Sequence, residues 1–251
     1  MSNVINAVWF GNELGEIHSA CLRSFVRHGY DVVLHSFGYP TDTPKGVRIF
    51  DANKLMSQSE ITVFQKYKRL AFAADIYRYR IQREGLGAYV DCDVYCVRRF
   101  PEDDYIFGWE SEYAICNAVM KLPPDSVLLA KMLNASEDPY FIPPWLKDNR
   151  RKRLLFRKYI GLPKHVVHQR WGIIGPELLT HYVRKLDLTA HASDIDAFYS
   201  LHYEQTALLF SKGLRVEDIV SSRSFALHLF SSRLRSRTIE DDTPLAQIIK
   251  Q

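Results

Sequence analysis

Apolar positions along this chain fall into two periods. Val4 to Phe10 (VINAVWF) and Tyr30 to Phe37 (YDVVLHSF) are short apolar runs fit for buried strands, and Val47 to Phe50 is an edge-like third strand after the loop Pro40 to Gly46. Ile17 to His28 reads as a helix between the first two. Strand, helix, strand predicts a right-handed βαβ start and a mostly parallel sheet. Phe64, Tyr67, Leu70, Ala71, Ala74, Tyr77 and Ile81 recur at helical spacing and predict one long helix, stopped at Gly85 and Gly87. Ala88-Tyr89-Val90 then open a buried strand that carries Asp91-Cys92-Asp93. Ile106 to Glu110 and Ala114 to Leu122 predict two more strands. Pro123-Pro124 opens a helix through Leu133, Gly175-Pro176 enters a helix from Glu177 to Lys185, and Phe225 to Phe230 is a last strand-like run. The tail EDDTPLAQIIKQ reads as a terminal extension or partner segment. The pattern as a whole predicts an α/β fold with a mostly parallel central sheet and flanking helices. No repeat, low-complexity stretch or Pro/Gly/Ser linker divides the chain, so residues 1–251 are read as one domain, with a basic helical insertion at about 134–170.

Ligands on parallel sheets bind beyond the carboxyl ends of the strands. Trp9-Phe10-Gly11 lies at one such end and Asp91-Cys92-Asp93 at another. Two acids at the mouth of an apolar strand repel each other and resist desolvation, which points to a cation held between protein and ligand. Asp75 and Arg78, three apart on the preceding helix, share a face that can point at the same crevice.

Bulk composition narrows the picture only modestly. The 251 residues are 47% hydrophobic and 25% charged, ordinary for a globular protein that buries a substantial core. No run is long enough for a membrane helix, and the start lacks a basic leader with a long apolar core, so the expected compartment is the cytoplasm. Cys21, Cys92, Cys96 and Cys116 are too few and too scattered for a disulfide scaffold and lack the His partners of a zinc site. Net charge is +4, unevenly spread: Lys147 to Arg170 holds nine Lys or Arg against the single acid Asp148, a balance of +8, so the remainder sums to −4. The segment reads either as a solvated helix face or as a surface for anionic headgroups or an anionic glycan, giving peripheral contact with the inner face of a membrane. No nucleic-acid-binding motif accompanies it, so nucleic acid is not an expected partner.

Ala-Asp-x-x-Arg on a helix, a glycine turn, then Tyr-x-Asp-x-Asp resembles the sugar-transfer core of the DXD glycosyltransferases, in particular the capsular-polysaccharide and α-mannosyltransferase branch, with the large clostridial toxin catalytic domains as distant relatives. The matching residues are Ala74, Asp75, Arg78, Gly87, Tyr89, Asp91 and Asp93, a core of about 30 residues. The resemblance implies a GT-A-type nucleotide-sugar-binding fold and a metal-dependent hexosyltransferase that works with retention. Its cofactor would be Mn²⁺ or Mg²⁺, its donor a UDP- or GDP-sugar, its acceptor a glycan or lipid-linked glycan, and its setting bacterial surface polysaccharide or lipopolysaccharide synthesis. Asp91 and Asp93 are then the catalytic pair and the metal ligands, Asp93 directly. Trp9 and Phe10 at the nucleotide base, Asp75, Arg78, Tyr89, Asn117 and His228 are the donor-binding residues. Glu110 and Glu112 are further available carboxylates without an assigned role.

Blander readings stand beside these. Trp9 is equally a large core residue, Asn117 a strand-end turn residue, and His228 a satisfied core histidine. The strand-plus-D-x-D pattern also opens phosphatases that form a phospho-aspartate on the residue standing here as Asp91. That family prefers Thr or Val where this chain has Tyr95, and sets the motif near the chain start. A glycan-binding or assembly protein that keeps the fold without turnover is the non-enzymatic alternative.

Overall fold

The computed structural model describes residues 3–234 and 237–251. The leading apolar run forms β1 (Val4–Trp9), followed by α1 (Glu16–Arg27), β2 (Asp31–Ser36) and β3 (Val47–Asp51). Next come α2 (Gln58–Lys66), α3 (Leu70–Arg83), β4 (Ala88–Val90), β5 (Val94–Cys96), β6 (Ile106–Trp109) and β7 (Ile115–Lys121). The remainder is mostly helical: α4 (Val127–Ser136), α5 (Asp148–Tyr159), α6 (Pro176–Lys185), α7 (Ile195–Phe198), α8 (Val216–Ile219), the short strand β8 (Ala226–His228) and α9 (Pro244–Lys250). The central sheet runs β3-β2-β1-β4-β7-β6, with β3, β2, β1 and β4 parallel and β7 and β6 antiparallel to their neighbours. The protein is thus an α/β fold with a mostly parallel central sheet flanked by helices.

Three local predictions are corrected. The single long helix is two: α2 starts on a capping box between Ser57 and Glu60, and Lys68, at a φ of 54°, turns the chain before α3 begins. Asp91-Cys92-Asp93 is not part of a strand but the turn between β4 and β5. The tail is not a free extension: α9 buries Leu245 and Ile248 in a cluster with Ala20 and Cys21 of α1.

Helix α3 is held rigidly, which matters because it carries two candidate site residues. On one side, Tyr77 shares a buried polar chain with His35 and Asn6. Asn6 donates to the carbonyls of Leu86 and Ala88, and His35 Nε2 faces Asn6 Oδ1 at 2.9 Å while its Nδ1 faces the Tyr77 hydroxyl at 3.0 Å. Since Asn6 Oδ1 can only accept, the network assigns the proton to Nε2, and burial lowers the His35 pKa to about 4. On the other side, Gln82 donates to the carbonyl of Gly87 and accepts from the amide of Leu122, tying α3 to the strands that follow it.

Candidate active site

The turn that holds the two aspartates is set by a change of sheet. β4 ends at Val90, paired with Val119 of β7, and the Asp91 amide donates to the Ala118 carbonyl at 2.7 Å. The chain then leaves the central sheet and pairs with β8 in a two-stranded ribbon, Val94 opposite His228. Cys92 points inward, buried against β1 with its thiol 3.5 Å from the Val8 carbonyl. With the intervening residue anchored in the core, Asp91 and Asp93 face a cavity of about 420 Å³. The apolar x of D-x-D therefore aims both acids.

Arg78 joins the side chains of one wall of this cavity. It is buried, reaches Asp91 Oδ1 at 3.0 Å and Asp75 Oδ1 at 3.5 Å, and donates to the Asn117 carbonyl at 2.5 Å. Burial opposes its charge, but Asp91 and the other neighbouring acids outweigh that and raise its pKa above the usual guanidinium value. Its guanidinium also lies 4.6 Å from the centre of the Tyr89 ring. Tyr89 donates from its hydroxyl to Asp91 Oδ1 at 2.7 Å, so Arg78 and Tyr89 occupy one carboxylate oxygen; among the described residues Oδ2 has no protein donor.

Asp75 is almost fully enclosed, with only a small edge left open to the cavity. Asn117 Nδ2 donates to its Oδ1 at 2.8 Å, and the backbone of Gly175, just ahead of α6, closes over its other oxygen. A side chain at 175 has no room: its Cβ would stand 2.6 Å from Asp75 Oδ2. Burial pushes the Asp75 carboxyl up to about 6, against the opposing pull of Arg78 and the Asn117 hydrogen bond. A carboxyl raised in this way weakens the fold as it ionises. The cost is absent below about pH 4, grows between about 4 and 6, and is constant above that. Asp75→Asn keeps the acceptor for Asn117 and leaves Arg78 paired with Asp91. We expect this variant to exceed the native protein by about 1–3 kcal/mol in urea unfolding at pH 8, with no difference at pH 4. A loss of stability at pH 8 would contradict the assignment of Asp75 as a strained, destabilising charge.

Asp93 and His228 form the opposite wall. His228 Nε2 lies 3.2 Å from Asp93 Oδ1, and the Ser231 amide donates to Asp93 Oδ2 at 2.8 Å. Phe230 makes the second bond available: at φ 51° it adopts the left-handed conformation and turns the chain back over Asp93. Burial opposes the Asp93 charge, yet His228 and the Ser231 amide hold its carboxyl well below the usual carboxylate range. Burial likewise opposes a charged His228, and Asp93 overcomes it, raising the imidazole pKa. His228 Nδ1 is buried without a partner among the described residues.

Asp91, Asp93 and His228 each offer a ligand atom, all within 4.8 Å of one another. Two carboxylates and an imidazole in so small a space fit a divalent ion such as Mn²⁺ or Mg²⁺, whose hard-donor preference the carboxylates meet. Asp75, Arg78 and Asn117 line the same cavity. Trp9, Phe10 and Tyr89 do not. Trp9 donates from Nε1 to the Glu13 carbonyl at 2.9 Å and packs against His18, and Phe10 stacks on Phe37. Tyr89, expected to touch the donor, is buried and reaches the site only through Asp91 and Arg78. The cavity adds Glu110, Trp171, Tyr203 and Arg233. Arg233 had no signal in the sequence beyond its place in a basic SSRLRSR run, and neither Trp171 nor Tyr203 could be given a role from sequence.

No protein-family model and no curated protein matches the sequence. Among solved structures the chain is similar to PaToxG glycosyltransferase, with a TM-score of 0.47 and 16% identity over 74% of this chain and 70% of that one. It is also similar to a transferase solved as a mutant, with a TM-score of 0.35 and 10% identity over 68% of this chain and 88% of that one. Both scores are low, so the chemistry rests on the geometry of the site itself.

Proposed function

We propose that this protein is a metal-dependent glycosyltransferase of the GT-A type, which moves a hexosyl group from a UDP- or GDP-sugar to a glycan or lipid-linked acceptor with retention of configuration. The observation that carries this reading is the Asp91, Asp93 and His228 cluster on one wall of a cavity whose facing wall holds Asp75, Arg78 and Asn117. Sugar transfer needs the leaving diphosphate neutralised, the donor sugar held and the acceptor hydroxyl brought to the anomeric carbon.

Asp93, with Asp91, would hold the Mn²⁺ or Mg²⁺, which supplies Lewis-acid neutralisation of the diphosphate as the bond from the anomeric carbon breaks. Among the described residues Asp91 Oδ2 has no protein donor, since Arg78 and Tyr89 both take Oδ1. Arg78 serves as a fixed cation beside the metal carboxylate, and Arg233 as an exposed cation at the rim. Asp75 and Asn117 are the hydrogen-bonding groups for donor hydroxyls. The rigid attachment of α3 favours positioning as the role of Asp75, with Asn117 presented beside it from β7.

The single-domain organisation, the cytoplasmic setting and a role in bacterial surface polysaccharide or lipopolysaccharide synthesis belong to the same proposal. The reading is tested by calorimetry with UDP and GDP. One of the two should bind in the presence of Mn²⁺ and lose that binding when the ion is chelated. Equal binding with and without the ion would count against a metal-bridged diphosphate site.

A further inference from the structure

The most exposed apolar surface of the molecule lies on its most basic segment. Helix α5 buries Leu154 alone. Each residue turns a helix by roughly 100°, so Leu155, Phe156 and Tyr159 fall on the side away from Leu154. They are 43%, 61% and 88% exposed, and the crest continues through Ile160 and Leu162 at 47% and 59%. Water-facing apolar side chains in such a row mark a surface that is covered in use.

The charges beside this crest indicate what covers it. Arg150, Arg151, Lys152, Arg153, Arg157 and Lys164 form no salt bridge among the described residues, whereas Lys158 pairs with Asp138. On the Leu154 side of α5, turned away from the crest, two adjoining cavities of about 490 and 480 Å³ share Arg153, Leu154 and Lys164 as walls. Neither is lined by a carboxylate. Arg151 and Lys152, roughly 60° and 160° round α5 from Leu154, stand exposed on the crest side; such cations call for anionic groups, and the aliphatic members of the crest call for hydrocarbon. A nucleic acid would satisfy the cations and stack on Phe156 or Tyr159, but it leaves Leu155, Ile160 and Leu162 in water. No helix among the described residues is long and apolar enough to cross a membrane, so contact would be peripheral.

We infer that α5 and the loop after it dock on an anionic phospholipid surface, with the apolar crest in the headgroup boundary and lipid phosphate groups against Arg151 and Lys152 beside it. This goes beyond the transferase reading and stands without it, because vesicle binding needs no donor sugar.

Co-sedimentation with vesicles tests it, comparing pure phosphatidylcholine with the same lipid containing about 30% phosphatidylglycerol. The intact protein should bind the anionic vesicles and scarcely the neutral ones. Arg151→Gln with Lys152→Gln, and separately Phe156→Ser with Tyr159→Ser, should each weaken binding about tenfold or more. Circular dichroism checks that both pairs fold; if either does not, Tyr159→Ser alone, at the most exposed position, replaces it. Equal binding to both vesicles, no binding by the intact protein, or unchanged binding by both variants overturns the inference. So does binding to polyuridine without binding to vesicles.

Discussion

Asp93→Asn should lower metal-dependent nucleotide release on the order of a thousandfold while leaving the protein folded. The expectation follows from the two bonds that fix this carboxylate. An asparagine can still accept from the Ser231 amide and donate to His228, so the turn after β8 keeps its partners. What it loses is the negative charge that Asp93 retains against burial, and with it the direct ligand for a divalent ion. Titrating Mn²⁺ into both proteins separates the effects. The variant should need far more ion for any residual release, and its thermal unfolding should stay close to that of the native protein. Undiminished release would remove Asp93 from the metal site.

The largest effect on stability is expected from Arg78→Met. Methionine fills much of the same volume but leaves Asp75 enclosed and Asp91 half-buried with no cation between them. Removing one partner from a buried ionic group costs about 3–5 kcal/mol, because the remaining charge has neither water nor a counter-ion. Part of the loss should return between pH 8 and pH 5 as Asp75 takes up a proton, and Asp75→Asn in the same chain should recover much of the remainder. Urea unfolding of the two single variants and the double variant gives the coupling energy directly. Additive effects of the two substitutions would show that Arg78 and Asp75 are not coupled.

The parts of this fold that were legible in the sequence are those governed by local period. The run Val4 to Phe10, the helix after Gly15 and the two strands that follow were all readable within a residue or two, because a buried strand or an amphipathic helix writes its own pattern. The same logic failed at Lys68, where spacing that suits a helix continues across a break made by one left-handed residue and a capping box upstream. It also drew the strand through Asp91 to Asp93, because the change of sheet after Val90 is dictated by pairing with β8, more than a hundred residues on.

The site was legible in a similar proportion. Asp75, Arg78, Asp91 and Asp93 lie within nineteen residues of one another on a helix, turn and strand end, and the structure gathers them on one cavity together with Asn117 and His228. Trp9 and Phe10 sit at a strand end as expected, but their rings pack on His18 and Phe37 outside that cavity. Gly175 was readable as the entry to a helix, but its closeness to Asp75 was not, because Asp75 arrives against it from a separate helix. Arg233 reaches the rim through the turn at Phe230, a backbone conformation that periodicity does not encode.

The central claim is that this cavity breaks the bond between a sugar and a nucleoside diphosphate. The measurement that tests it most directly is nucleotide release from a panel of UDP-, GDP- and CMP-sugars, with and without Mn²⁺, by the native protein and by Asp93→Ala. The predicted result is release from one UDP- or GDP-sugar that requires both the ion and Asp93. Metal-dependent binding of a nucleotide without release would point to a missing acceptor. No release together with no metal-dependent binding would contradict the transferase reading and favour a glycan-binding protein of the same fold.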